Sequence, residues 1–175
     1  VKQAGIRPGQ VLTVTAAAFV IAAGLLTWLF WPSAQRIPGA ERVRQYSNVR
    51  ACMLTGADGV ANSVAAAAWA GMQGASSSSR AMISYLPVAR PGGEAAAEPY
   101  LASLVQRQCG VIVAVGPAQV AAATSQADRY RQIHFIVISA GPSGPSTSRV
   151  VRIAAAPTAQ VHAAVQAAVS AAVNG

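Results

Sequence analysis

Three hydrophobic patterns follow one another along the chain. Residues 11–31 (VLTVTAAAFVIAAGLLTWLFW) are apolar on every side, and no charged residue occurs between Arg7 and Arg36. Residues 32–48 lose all apolar periodicity, and Pro32, Pro38 and Gly39 interrupt a polar, Arg-rich stretch. From Val49 onward, short apolar runs alternate with segments whose apolar residues recur at three-four spacing. The short runs read as strands and the spaced segments as helices.

Strands are predicted over 49–55, 81–88, 111–115, 133–138 and 149–153. Helices are predicted over 60–76, from the 90–94 loop to about 108, over 117–130 and over 158–173. The run at 111–115 (VIVAV) is continuous and rich in β-branched residues, which fits a strand covered on both faces. Gly116 ends it, and Pro117 suits the first position of the next helix. The serine run at 76–79 is expected to break the first helix, and SAGPSGPSTS at 139–148 to form a loop. This alternation implies a three-layer α/β sandwich around a five-stranded parallel sheet of order 2-1-3-4-5.

In such open sheets, ligands sit outside the carboxyl ends of the strands. That rule singles out Asp58 and Asn62 after the first strand, Gly116 and Gln119 after the third, and Ser139 after the fourth. Each also has a plain structural use. Asp58 can form a turn or cap a helix, and Asn62 can sit as an exposed helix residue. Gly116 and Gln119 can serve a strand–helix joint, and Ser139 a loop.

Residues 1–10 read as a short tail, 11–31 as a transmembrane anchor, 32–48 as a linker and 49–175 as one domain. Twenty-one residues at helical rise span about 30 Å, the thickness of the hydrocarbon core. Trp28 and Trp31 lie at one end, as interfacial aromatics do. A cleaved signal peptide would carry a shorter apolar region and a small-x-small site before Pro32. The flanking positive charges count toward a cytoplasmic domain, although long domains translocate largely regardless of them.

Composition narrows the function. The chain is 53% hydrophobic and 10% charged, with a formal net charge of +8. Its basic residues are almost all Arg, Lys2 being the single lysine, and they are spread out. Arg36, Arg42, Arg44 and Arg50 form the one cluster, with Glu41 inside it. Beside an apolar span this reads as a collar facing lipid headgroups, and a nucleic-acid face with interleaved aromatics is not seen.

Catalytic signatures are missing. Lys2 lies in no Walker loop, and no GxGxxG follows a strand. The stretch at 141–145 (GPSGP) does not fit the spacing of a nucleophile elbow. His134, His162, Cys52 and Cys109 lack metal-ligand spacing. No enzyme activity, cofactor or metal is therefore expected. Cys52 lies about three residues from the end of its strand and Cys109 about six. That stagger of about 10 Å favours two buried thiols over a disulfide.

Three stretches carry a family resemblance: ACMLTGADGVANSVAAAAWAGMQ, PYLASLVQRQCGVIVAVGPAQVAAA and YRQIHFIVISAG. In order and spacing they resemble the amino-terminal lobe of the basic membrane protein (BMP) family. The first contains its Trp-x-Gly at Trp69 and Gly71, and Asp58 and Asn62 match its acidic turn. Ala61 stands where the family has a stacking aromatic. The resemblance implies a type I periplasmic-binding fold in a substrate-binding protein that serves an ABC transporter permease. It also implies an extracytoplasmic domain and a small ligand such as a nucleoside. A second reading is an interaction or sensor module derived from such a lobe. Its Ala-rich helix faces, at 65–68 and 164–172, would support a homodimer.

Overall fold

The computed structural model describes residues 48–90, 92–141 and 145–175. The anchor, and all of the linker but Asn48, lie outside these residues. Among the described residues, no helix is long and apolar enough to cross a membrane.

Five strands of the described residues form one sheet: β1 (Arg50–Thr55), β2 (Met82–Pro87), β3 (Val111–Val115), β4 (His134–Ser139) and β5 (Val150–Ala154). Their order is β2-β1-β3-β4-β5, and every neighbouring pair is parallel. Four helices among the described residues cover the sheet: α1 (Ser63–Ser79), α2 (Glu94–Gln106), α3 (Pro117–Gln126) and α4 (Thr158–Asn174).

Strand alternation divides the core. Cys52, Leu54, Ile112, Ala114, Phe135 and Val137 point to one face, where they meet Leu101 and Leu104 of α2 and Ala122 and Ala123 of α3. Met53, Val113, Val115, Ile136 and Ile138 point to the other, where α1 and α4 lie. All five residues of β3 are buried, as a strand in the middle of three layers requires. The Ala-rich faces of α1 and α4 meet within the chain, with Ala65, Ala68, Ala164 and Ala168 in one cluster.

Three local expectations are revised. The first helix begins not at Val60 but at Ser63, after a 3-10 turn at Gly59–Ala61 and an extended Asn62. It also runs through the serines instead of breaking at them. Ser77 Oγ donates to the Gln73 carbonyl (2.9 Å) and Ser79 Oγ to that of Ala75 (2.7 Å). Hydroxyls that bond back to the preceding turn satisfy themselves inside the helix. The stop comes at Arg80, which is left-handed at φ 60°.

The third revision concerns the cysteines. Cys52 and Cys109 form a disulfide with Cα atoms 5.8 Å apart. The stagger argument treated Cys109 as a strand residue, but β3 starts at Val111. Gln108 is left-handed at φ 60°, and the Cys109 N–H donates back to the Leu104 carbonyl (3.2 Å). This turn at the end of α2 carries Cys109 to Cys52. Arg50, the one member of the Arg cluster among the described residues, donates its Nη1 to the Arg107 carbonyl. It is tied to the end of α2.

Candidate functional site

The chain reverses direction across the sheet between β1 and β3. From β1 it crosses outward to β2, and from β3 it crosses the other way to β4 and β5. At such a switch point, the loops beyond the two strand ends diverge and leave a crevice. A cavity of about 470 Å³ lies there, and Asp58, Asn62, Gly116, Gln119 and Ser139 all line it.

The β1 side is a turn built on glycine. The Gly59 N–H donates to the Gly56 carbonyl (3.0 Å), and Gly59 has φ 57°, where a side chain is strained. Asp58 follows the start of this turn, is exposed, and makes no capping bond with its side chain. Asn62 is the N-cap of α1. Its Oδ1 accepts from the N–H groups of Val64 (3.0 Å) and Ala65 (3.3 Å). The sequence reading missed this role because it started the helix two residues before Asn62. Asn62→Ala removes the cap and should cost about 1 kcal/mol, lowering Tm by about 4 °C in a melting scan.

The β3 side is more enclosed. Gly116 has φ 109° and ψ 153°, a conformation reserved for glycine. A Cβ there would also stand 2.5 Å from Gln119 Oε1. Gln119 is 5% exposed, and its Nε2 donates to the Thr55 carbonyl at the end of β1 (3.3 Å). That bond joins α3 to β1 across the switch point. Ser139 is half-buried at the end of β4, and its carbonyl accepts from the Ala155 N–H (2.8 Å).

The walls that the sequence reading did not name are apolar: Val64, Val115, Val120, Ile138 and Ala155. The same strand-end rule would have found Ala155, just beyond β5. Among the described residues that line it, Asp58 is the one charged side chain and none is aromatic. The arrangement suits a ligand without negative charge that has an apolar flank and donates hydrogen bonds to oxygens. Among the described residues, no three His, Cys, Asp or Glu side chains converge on a metal position.

No family model matches the chain, and no curated protein matches it. Among solved structures, it is similar to a crystallised fragment described as a "putative lipoprotein" from Peptoclostridium difficile 630. The TM-score is 0.56 at 14% identity, over 70% of this chain and 98% of that one. At that identity, the likeness shows the fold. It agrees with a Rossmann-like α/β lobe of strand order 2-1-3-4-5.

Proposed function

We propose that this domain is the ligand-recognising lobe of a membrane-attached, extracytoplasmic binding protein of BMP type, without catalytic activity. In this reading it captures a small neutral solute, a nucleoside being the preferred class, and works with an ABC transporter permease. The observation that carries the reading is the cavity at the carboxyl ends of β1, β3 and β4, lined by Asp58, Asn62, Gly116, Gln119 and Ser139. Two further facts support the location. The Cys52–Cys109 disulfide fits an oxidising compartment, and a similar solved structure is described as a "putative lipoprotein". The apolar stretch at 11–31 would supply the attachment.

One observation favours a second reading, an interaction module. Tyr85 is 43% exposed on the edge strand β2, with its ring 5.3 Å from that of Trp69 in an edge-to-face pair. An exposed aromatic on the last strand of the sheet, backed by Trp69 of α1, suits a protein partner.

A thermal-shift screen of the full chain separates the two. The panel is nucleosides, nucleobases, amino acids and sugars. A nucleoside at a hundred times its Kd should stabilise the domain by about 2.7 kcal/mol. The shift should disappear in Asp58→Ala. No shift from any of these compounds, on a chain that melts cooperatively, would contradict the binding-lobe reading and favour the interaction module.

A further inference from the structure

We infer that Gln119 is the specificity-determining residue of the cavity, reading a hydrogen-bond donor on the ligand through Oε1. The inference rests on the binding-lobe reading above and goes on to say what the site selects. A carbonyl oxygen can only accept, so the group facing the Thr55 carbonyl must be the amide nitrogen of Gln119. The side chain is therefore fixed with Oε1 on its other side. No donor among the described residues bonds that oxygen, and it is not one of the fully enclosed unpaired polar atoms, which are Thr55 Oγ1 and Thr124 Oγ1; on a side chain that lines the cavity it is open to a ligand. An acceptor held in place without a protein partner is ready for a ligand N–H or O–H, which takes the place of water there.

Gly116 belongs to the same device. Oε1 lies 2.5 Å from where a Cβ on residue 116 would be, so the glycine leaves the amide room to stand in this position. The Thr55 carbonyl also accepts from the Val88 N–H (2.9 Å). It therefore stays paired when Gln119 is replaced, and the role of Oε1 can be tested without stranding it.

The charge of the lining sets the second half of the selection. Asp58 contributes a carboxylate from the β1 loop, and none of the described lining residues is cationic. The α3 N-terminus opens on the cavity but is a poor anion site. Pro117 has no N–H and the Val120 N–H donates to the Gly116 carbonyl (2.9 Å), which leaves the N–H groups of Ala118 and Gln119, one fewer than a helix start without proline offers. The site thus favours a donor-bearing molecule without negative charge over its phosphorylated form.

The test is calorimetric titration of the full chain with adenosine, AMP, 2′,3′-dideoxyadenosine and purine riboside. The native chain should bind adenosine at least tenfold more tightly than AMP. Gln119→Met, close in shape but without the acceptor, should weaken adenosine about tenfold. It should leave unchanged the affinity of whichever analogue lacks the donor that Gln119 reads. Equal binding of AMP and adenosine to the native chain, which needs no variant to fold, would overturn the inference. So would Gln119→Met binding adenosine like the native chain. If adenosine does not bind the native chain at all, the nucleoside reading falls and this assignment falls with it.

Discussion

Replacing Cys52 and Cys109 together with alanine is expected to lower the stability of the domain by about 4 kcal/mol. The bridge spans 57 residues, from β1 to the turn after α2. A crosslink of that length removes a large share of the freedom of the unfolded chain, and the chain-entropy relation puts the effect at about 4 kcal/mol. Both cysteines are almost fully buried in the core between the sheet and the helices α2 and α3. Reductant should therefore act only after the domain opens. Denaturant unfolding of the native chain and the double variant, with and without reductant, measures the difference. A loss under 1 kcal/mol would mean that the bridge does not hold the fold together. Thiol alkylation in the unfolded native chain should label neither cysteine before reduction and both after it.

Gly71→Ala is expected to destabilise the domain by about 2 kcal/mol, although alanine favours a helix by about 1 kcal/mol over glycine. Gly71 is buried on α1, and a Cβ there would stand 2.5 Å from the His162 carbonyl and 3.1 Å from the Gln166 amide nitrogen. Both are backbone atoms of α4, so the two helices must separate to admit a methyl group. That displacement would reach Val161, Val165 and Val169, which are fully buried against the sheet. Gly74, one turn later, provides the contrast. Its nearest neighbours are side-chain atoms of Gln166, at 2.8 Å, which can swing away. Gly74→Ala should be neutral or stabilising by up to about 1 kcal/mol. Paired thermal melts of the two variants check this. Equal effects would show that α4 does not approach α1 as closely at Gly71 as described.

Much of the fold was legible because its elements announce themselves in residue types. The buried run at 111–115 is long enough for a strand and bounded by glycines at 110 and 116. Alternation of strands and helices then leaves few topologies, and the order follows. The position of the cavity was legible for the same reason, since it depends on topology and not on any motif. The 3-10 turn and the Asn62 cap were missed because both helical starts fit the apolar spacing. Only the extended backbone at Asn62 separates them. The serine run was misread because average propensity ignores hydroxyls that bond back into the preceding turn. The disulfide was misjudged because it depends on one left-handed residue, Gln108, which no periodicity marks. The buried state of Gln119 was invisible too. Its partner, the Thr55 carbonyl, lies 64 residues away along the chain.

The central claim is that a small neutral ligand is held in the crevice between the ends of β1 and β3. Methyl NMR of the full chain, titrated with adenosine, tests it most directly. Shifts are expected on Val64, Val115, Val120 and Ile138, which line the cavity. Val165 and Val169, buried between α4 and the sheet, should stay still. Saturable shifts confined to the first four would place a ligand where the account requires it. Shifts centred on Ile83 at the β2 edge, or no shifts at saturating adenosine, would contradict it.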